Sequence, residues 1–555
     1  DMFFKFSAGF NDQRGVRKNY LSRTFMYGKG QNGVANINDL SKTDYLTEAT
    51  FHYQKLFNNV HDVNFLLGSS YQEFINSGTI LYAYDFFSDA IKYNKMSVGE
   101  GDPGIDSSAS KTKMASYFTR LQYNFNRKYL FTFTMRADGS DKFGRNNRYG
   151  FFPSGAFAWR MIEEPFMKNQ KVVSDLKLRV SLGQTGNANI GNSAYEFFDA
   201  NGRNYYFGGK ENTGVNISQL PNPDLKWETT TEVNFGIDYG FFNNRINGNV
   251  EVYYKQISDL LGWQPLSGNA ILPGYPANMG KTESRGLEIS LITANVVRPF
   301  IWNSTFSFTA YRDNWLEHSP DYVLKPYETE HDPLTAVYGF IPEGVIQAGE
   351  TVDYMPQAKP GMMKIKNLSG LDANGKKDGT PDNTINEADM VLLGHNAPDF
   401  TIGFNNEFRY KGFELNFFLY GSDGAMRWPS VRYAYGTDFE ILKIKTGNNF
   451  ETSIKDRWTS DRQSSAMPSG FRNPYLLSGH YAHEKTGYIR MKNLSLAYDM
   501  NRLAKIKQID TARLSFNVTN LFTLTNFSGI DPEVENHSAP YPLQRTYSIA
   551  LNLGF

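Results

Sequence analysis

The 555-residue sequence contains no cysteine. This absence excludes disulfide bonds, thiolate metal ligands and cysteine nucleophiles together. The formal net charge at pH 7 is +0, so the sequence gives no indication of a nucleic-acid partner. The H-E-x-x-H and G-x-S-x-G patterns are also missing, and the 8 histidines are dispersed. These absences predict a protein that is not an enzyme and that requires no cofactor.

Long apolar runs are absent as well. No segment approaches the roughly 18 consecutive apolar residues that a membrane-spanning helix requires. The mean hydropathy is -0.49, yet aromatic residues make up 15% of the chain. A transmembrane β-barrel combines these two properties, because its strands alternate between apolar and polar residues and carry aromatic residues at both membrane interfaces. The composition therefore argues against a helical membrane protein and is compatible with a transmembrane β-barrel.

The last segment of the chain, residues 545–555, alternates strictly between large apolar residues and small or polar ones. The large residues are Tyr547, Ile549, Leu551, Leu553 and Phe555. Side chains of a strand point to opposite faces in turn, so the pattern predicts a strand with one apolar face. That face would meet a protein core in a soluble β-sandwich and lipid in an outer-membrane barrel. An aromatic residue at the end of this pattern favours the barrel.

Similar alternating segments recur along the whole chain. The candidate strands are 2–10, 43–57, 61–78, 117–125, 129–138, 150–162, 175–187, 227–241, 244–260, 280–294, 300–313, 398–411, 413–426, 486–499, 511–525 and 545–555. Their polar faces carry charges, such as Arg120, Arg136, Asp138 and Arg179, that would either line a substrate chamber or hydrogen-bond a plug or each other. The sequence thus predicts an all-β fold, a transmembrane antiparallel β-barrel with about sixteen strands in residues 1–555.

The connections between these strands alternate between short and long. The short ones lie around 58–60, 126–128, 163–174, 242–243, 295–299, 412 and 500–510. The long ones are 11–42, 79–112, 139–149, 188–226, 261–279, 314–397, 427–485 and 526–540, with the largest insertions at 314–397 and 427–485. Outer-membrane barrels have short periplasmic turns and long external loops, so this order places every long loop outside the cell. An even number of further strands before residue 2 would complete a 22-stranded barrel, a number of about 22 being usual in larger transporters.

Several motifs resemble those of the SusC/RagA-like TonB-dependent transporters of the outer membrane. They are 136–140 (R-A-D-G-S), 143–150, 152–155, 183–187, 222–229 (N-P-D-L-K-W-E-T), 285–288 (R-G-L-E), 410–413, 488–494 (Y-I-R-M-K-N-L), 520–522, 531–533 (D-P-E) and 541–543. The motifs are spread over most of the chain in the family's order, which makes the resemblance specific. It covers the C-terminal barrel of the family, whereas the plug and the TonB-contacting motif are expected outside this chain.

The resemblance implies active import of oligosaccharides through the outer membrane of a Gram-negative bacterium. The partners it implies are a SusD-like surface lipoprotein over the external loops, the TonB complex acting on the plug, and outer-membrane lipid. Two such transporter–lipoprotein pairs could form a dimer. An oligopeptide importer of the RagA type is one alternative, and a passive sixteen-stranded porin is another. A soluble glycan-binding sandwich, which would not need detergent for extraction, ranks last.

The insertion 314–397 contains oxygen-bearing residues at the spacing of an EF-hand calcium loop. These residues are Asp378, Thr380, Asp382, Thr384, Asn386 and Asp389. Asn383 stands at the position of the usual glycine, and Asp389 stands where an EF-hand has a bidentate glutamate. One interpretation is a structural Ca²⁺, with no catalytic role. The other is a polar external loop rich in turn-forming residues.

Aromatic residues in the long loops are candidates for substrate binding, because rings stack on sugars and contact peptide side chains at low entropic cost. The candidates are Trp428, Tyr433, Tyr435 and Trp458 in 427–485, and Tyr205 and Tyr206, followed by Phe207, in 188–226. The alternative is that these rings pack the loops together or lie at the membrane interface.

Overall fold

The computed structural model of the chain describes all residues except 192–196, 200–204, 213, 215, 267–271, 273, 428–454, 464–466, 470–482, 503–508 and 535–541. Strands account for most of the regular structure in the described residues. None of the described helices has the length and hydropathy that a membrane-spanning helix needs.

Seventeen strands belong to one large sheet. They are β1 (Met2–Leu21), β2 (Val34–Phe57), β3 (His61–Tyr84), β4 (Gly104–Phe125), β5 (Tyr129–Ser140), β6 (Tyr149–Arg160), β7 (Val173–Asn187), β8 (Glu228–Phe241), β9 (Ile246–Ser258), β10 (Lys281–Val296), β11 (Ile301–Glu317), β12 (Phe400–Tyr410), β13 (Phe413–Arg427), β14 (Glu484–Asp499), β15 (Thr511–Thr519), β16 (Thr523–Thr525) and β17 (Thr546–Gly554). The predicted all-β, antiparallel architecture is confirmed.

Short elements fill the connections. Five two-stranded ladders pair Phe197–Asp199 with Asn216–Gln219, Tyr205–Phe207 with Lys210–Asn212, Leu261–Pro265 with Gly274–Asn278, Ala336–Gly339 with Val391–His395, and Pro342–Val345 with Met363–Ile365. The helical elements among the described residues are the α-helix Met26–Lys29 and the 3-10 turns Lys92–Asn94, Met96–Val98, Arg145–Asn147, Met161–Glu163, Pro165–Met167, Glu387–Asp389 and Met500–Arg502.

The chain divides into two compact units. The first comprises Asp1–Ala158, Ser181–Thr231 and Ile257–Met279. In it, β1 to β5 form a meander in which each strand pairs antiparallel with the next. The second unit comprises Trp159–Val180, Glu232–Gln256 and Gly280–Phe555. There β10 to β15 form a second antiparallel meander, and β17 pairs with β15.

The short turns lie close to their predicted positions. β2 and β3 are joined by residues 58–60, and β4 and β5 by 126–128. Asn126 and Arg127 have φ values of 52° and 57°, and Lys411 and Gly412 in the turn after β12 have values of 46° and 89°. Left-handed residues in a tight turn match the right-handed twist of the flanking strands, so these turns join neighbouring strands directly.

The predicted boundaries of β1 to β4 are wrong. Residues 11–42 and 79–112 were expected to be loops, but only 22–33 and 85–103 connect these strands. β1 and β2 pair without interruption from Met2↔Tyr53 to Leu21↔Val34. The hydrophobic alternation ends where both faces of the sheet meet water, whereas the backbone hydrogen bonds continue. The strands are therefore 20 to 24 residues long.

The predicted strand 511–525 is also divided in two. Asn520 has a φ of 53° and interrupts the strand after Thr519. Its amide donates to the carbonyl of Lys492, and the amide of Leu521 donates to that of Met491. The chain then pairs again with β14 through β16. The interruption at Asn520 thus changes the path of the chain into β16 and the loop that follows it.

Candidate functional site

One face of the large sheet exposes large apolar side chains. On β5, Phe131, Phe133 and Met135 are 46%, 50% and 42% exposed, whereas Thr132 and Thr134 between them are half-buried. On β17, too, every second residue is apolar and exposed. An exposed apolar surface of this extent is unfavourable in water, and it has the pattern of a lipid-facing barrel wall.

The opposite face carries charged networks, the first of them in the first unit. Arg136 donates from Nε to both carboxylate oxygens of Asp138 at 2.8 and 2.7 Å, and from Nη2 to Ser116 Oγ at 3.0 Å. Its guanidinium also lies 5.4 Å from the ring centroid of Phe118. Asp138 and Ser116 face each other across the β4–β5 ladder and are both buried. The network therefore holds a buried carboxylate in a paired state.

A second network joins three strands of the second unit. Arg179 donates from Nη2 to Asp238 at 2.7 Å and to Glu251 at 2.8 Å, and Lys177 Nζ lies 2.6 Å from Asp238. Arg136, Asp138 and Arg179 thus pair with neighbouring side chains, which was one of the two roles expected for charges on the polar face. Such pairs tie adjacent strands together across a wet surface.

The most deeply buried charge on the polar face is Arg490 of β14, which is 2% exposed. Its Nη2 donates to Asp531 at 2.7 Å, its Nε donates to Thr523 Oγ1 at 2.7 Å, and its Nη1 donates to Glu533. Lys492, one side chain further along the same face, also donates to Glu533. The loop that follows β16 is therefore attached to the wall by a neutral set of two cations and two carboxylates.

No role was predicted from the sequence for Arg490, Lys492, Asp531 and Glu533, although the motifs 488–494 and 531–533 resemble those of the family. A signal was present in the spacing. Arg490 and Lys492 are two residues apart and so share one face of a strand, and Asp531 and Glu533 have the same spacing. Two complementary pairs at a spacing that places each on one face could have predicted the contact.

Three family-like motifs meet in one buried cluster of the first unit. Phe143 and Leu225 are fully buried and pack with Phe152 and Trp227. Trp227 Nε1 donates to the carbonyl of Arg148 at 3.2 Å. Buried rings whose polar atoms are satisfied stabilise structure, each contributing about 1.5–3 kcal/mol. These motifs therefore hold the long loops 139–149 and 188–226 onto their strands.

A hydrophobic core lies within the insertion after β11 and is completed by Trp458 from the loop 427–485. The core contains Phe340, Val345, Met355, Met363, Ile365, Ile385, Met390 and Trp458. Trp458 is 8% exposed, and its Nε1 donates to Gln347 Oε1 at 3.1 Å. The ring of this predicted substrate-binding residue is thus enclosed by the insertion, so the structure favours the packing alternative at this position.

A buried carboxylate anchors the beginning of the insertion. Asp332 accepts hydrogen bonds from the backbone amide of Thr329 at 2.7 Å, from its hydroxyl at 2.6 Å, and from the Tyr338 hydroxyl. Burial raises the pKa of the Asp332 carboxyl, but these hydrogen bonds outweigh burial and hold the pKa below its ordinary value. Burial and the same Asp332 contact raise the pKa of Tyr338. The charged form of Asp332 is therefore part of the folded insertion.

The remaining aromatic candidates are Tyr205, Tyr206, Phe207, Trp428, Tyr433 and Tyr435. Tyr206 and Phe207 are 76% and 78% exposed and lie on the short strand Tyr205–Phe207, which turns back through Gly208 and Gly209. Tyr205 lies on the same strand. Trp428, Tyr433 and Tyr435 lie outside the described residues. Exposed rings on a tight hairpin are accessible for stacking, so Tyr206 stays a prediction that the geometry permits.

The acidic loop of the insertion is held together mainly by its own backbone amides. Asp378 Oδ1 accepts from the amide of Thr380 at 2.8 Å, and Asp382 Oδ1 accepts from that of Thr384 at 3.0 Å. Asn386 Oδ1 accepts from the amide of Ala388 at 2.7 Å. In each of these turns, Oδ1 of the side chain accepts the hydrogen bond from the backbone amide. The second terminal atom of the side chain takes no part in that hydrogen bond.

Asp389 is arranged differently and fits a calcium ligand poorly. Its Oδ1 accepts from the amides of Leu368 and Ser369 at 2.6 and 3.3 Å, and its Oδ2 accepts from Asn386 at 2.9 Å. Both oxygens of the residue at the bidentate position are therefore engaged. Within the described residues, no three His, Asp or Glu side chains are grouped as a metal site. Calcium binding stays a prediction, and no step of the mechanism depends on it.

Comparisons with known proteins show which family the chain belongs to. Residues 3–521 match the family described as "TonB dependent receptor-like, beta-barrel". TonB-dependent receptor P3 of Formosa agariphila is 29% identical over 587 residues, covering 100% of this chain and 56% of that protein. TonB-dependent receptor SusC of Bacteroides thetaiotaomicron is 28% identical over 471 residues, covering 80% of this chain and 44% of that protein. The chain spans about half the length of these curated relatives.

Among solved structures, the RagAB peptide transporter has a similar fold. The TM-score is 0.82 at 22% sequence identity, and the match covers 100% of this chain and 60% of that chain. The same complex in its "open-open" state gives a TM-score of 0.80. A likeness at this identity concerns the fold alone, and it agrees with the transmembrane barrel predicted from the alternating strands.

Proposed function

Because this chain belongs to the family of TonB-dependent receptor-like β-barrels of the outer membrane, we propose that it forms the barrel of an active importer of oligosaccharides. The observation that carries the proposal is the family match over residues 3–521. The two faces of the strands agree with it, since an apolar outer wall and a charged, hydrogen-bonded inner wall are what a transport barrel requires. No catalytic role is proposed.

The choice of oligosaccharides as cargo is supported by the exposed rings of the long loops. Tyr206 and Phe207 project from a hairpin that the backbone fixes tightly through two left-handed glycines. Aromatic rings on fixed hairpins suit sugar faces, which are broad, apolar and uncharged. Import of oligopeptides is the competing function, and the test below separates the two.

Two partners belong to the proposal. A surface lipoprotein of the SusD type would cover the external loops, and the insertion with its hydrophobic core offers a folded surface for such a contact. The TonB complex would supply the energy for transport through a plug domain. Two transporter–lipoprotein pairs would associate in the membrane. Each of these follows from the proposed function, and the dependence on TonB is tested below.

Uptake by whole cells tests the proposal directly. Cells that carry the full-length protein and its lipoprotein partner are given fluorescent maltohexaose, laminarihexaose, xylohexaose or hexa-alanine, in the presence and absence of tonB. Uptake of at least one hexasaccharide, lost on deletion of tonB, is the expected result. Uptake of hexa-alanine alone would establish the peptide importer instead. Uptake that is unchanged without tonB would establish a passive porin, and no uptake of any probe would overturn the cargo classes proposed.

A further inference from the structure

The strands β1 to β4 are much longer than a membrane crossing requires. They contain 20, 24, 24 and 22 residues, whereas about 9–11 residues cross the bilayer. The apolar face ends near Phe10 and Tyr45, whose ring centroids are 5.4 Å apart. Glu73 lies directly opposite Tyr45 in the β2–β3 ladder and forms an ion pair with Lys111 at 2.5 Å. The remaining residues of these strands therefore form a four-stranded sheet outside the membrane.

This external sheet carries a groove of about 540 Å³. Two neighbouring rows of side chains on one face line it, and the register places the members of each row side by side. The first row is Gln13, Lys42, Asn76 and Ser110, and the second is Gly15, Leu40, Gly78 and Ser108. On β4 these positions share a face with Ser116, so the groove continues the polar face of the wall. We name it the distal groove.

Two glycines form the floor of the distal groove without any backbone reason. Neither Gly15 nor Gly78 has a positive φ, and the four described strands pair there without a β-bulge. A Cβ on Gly15 would meet nothing within 4 Å, whereas one on Gly78 would lie 3.1 Å from Leu40 Cδ2 and 3.3 Å from Ser108 Oγ. Glycine inside a strand costs about 0.5–1 kcal/mol relative to alanine. At Gly15, where neither a bulge, a turn nor a neighbouring side chain requires glycine, the backbone is open to the close approach of a ligand.

The side chains around this floor are suited to a neutral, hydroxyl-rich ligand. Gln13 and Asn76 present exposed amides that both donate and accept hydrogen bonds. Leu40, 59% exposed, offers an apolar contact for the carbon face of a ring. The charge of Lys42 is balanced by Asp44, whose Oδ2 lies 3.9 Å from its Nζ. Arg14, which also borders the groove, has its Nε 3.4 Å from Asp12 Oδ2. Both of these cations thus have a carboxylate neighbour, which disfavours a phosphate or an acidic ligand.

A peptide is less well matched to the distal groove. Sheets commonly bind extended peptides by adding a strand at an edge, through backbone hydrogen bonds. β2 and β3 already pair with strands on both sides throughout the groove. From the glycine floor, the two amides and the balanced charge, we infer that the distal groove is an external subsite for one neutral sugar unit of the imported oligosaccharide. This inference rests on the proposed function.

Filling the groove tests the inference. In the full-length protein with its partner, Gly15→Leu places a side chain into the groove where a Cβ meets no neighbour. The double variant Gln13→Ala/Asn76→Ala removes the two amides and leaves the floor open. The matched control is Thr79→Leu, an apolar substitution on the opposite face of β3. Binding of maltohexaose, laminarihexaose and xylohexaose is measured by calorimetry, together with hexa-alanine.

The expected result is a loss of affinity of about tenfold for Gly15→Leu and of about threefold to tenfold for the double variant, with Thr79→Leu unchanged. Hexasaccharide binding that is equal in all four proteins would overturn the subsite and leave the proposed function intact. Binding of hexa-alanine alone by the wild type would overturn the proposed function and the subsite together. Weaker hexa-alanine binding in Gly15→Leu would assign the groove to peptides and so overturn the inference.

Discussion

At the scale of single residues, the buried Arg490 attaches the loop after β16 to the wall. Replacing it with alanine leaves the carboxylates of Asp531 and Glu533 without their main cation in a buried site. Removing one partner of a buried ion pair costs about 3–5 kcal/mol. We therefore expect Arg490→Ala to lower the free energy of unfolding of the full-length protein in lipid vesicles by that amount. Cleavage of residues 526–534 by external protease should increase.

The control for this variant is Arg513→Ala. Arg513 also pairs with a carboxylate, Glu414, but its side chain is 52% exposed. Exposed ion pairs contribute about 0–1 kcal/mol, so this change should be nearly silent. Equal stability losses for Arg490→Ala and Arg513→Ala would show that the buried network does not hold the loop.

Asp389 and Asp378 separate the two interpretations of the acidic loop. Asp389→Asn converts an acceptor of three backbone amides into a group with one acceptor oxygen. It should lower the melting temperature equally in calcium and in EDTA. Asp378→Asn should lower it only in calcium if an ion is bound. A wild-type melting temperature that is unchanged by EDTA, with no anomalous density after calcium soaking, would contradict calcium binding by this loop.

Trp458 and Arg490 show what residue patterns could and could not predict. The alternation of β14 identified a polar face, but it did not indicate that Asp531 and Glu533 return to it from a loop. Trp458 has the composition of a binding-loop residue, yet it completes a core with residues more than 90 positions away, such as Phe340. Contacts of this range depend on the path of the insertion, which carries no periodic signal.

At the scale of elements, the insertion should respond to acid. The lowered pKa of Asp332 means that its stabilising contribution is present at neutral pH and is lost as the pH falls below about 4. We expect hydrogen exchange at residues 329–339 to accelerate between about pH 5 and about pH 3. Asp332→Asn should show faster exchange at neutral pH and little further change on acidification. Protection that is the same at both pH values in the wild type would contradict this assignment.

The long strands β1 to β4 show where the secondary structure could not be predicted from the sequence. The segments that lie within the membrane were found because lipid on one side and water on the other force an alternation. Beyond Phe10 and Tyr45 both faces are wet, and the sequence turns polar while the pairing continues to Leu21↔Val34. Most of the distal groove lies in these segments that were predicted to be loops, whereas Asn76 and Gly78 lie at the end of the predicted strand 61–78. A site built on backbone register and two glycines leaves little trace in composition.

At the scale of the whole molecule, the alternation of short and long connections proved the most informative pattern. It follows from a property of the entire chain, since every second connection lies on the same side of the membrane. The order of the turns, the antiparallel pairing and the outer-membrane class could therefore be predicted together. The cargo could not, because loops such as 188–226 and 427–485 obey no common pattern.

The assignment of the two faces is tested by one pair of substitutions on β5. Phe133→Arg places a charge on the apolar face, where an arginine near the bilayer midplane costs about 2–4 kcal/mol. Thr134→Arg places the same charge one residue further, on the half-buried polar face that already holds Arg136. We expect Phe133→Arg to reduce the folded, heat-modifiable fraction in outer membranes, and Thr134→Arg to be tolerated. The reverse order would mean that Tyr117, Leu121 and Phe133 face a protein interior, and that the strands do not form a lipid-facing wall.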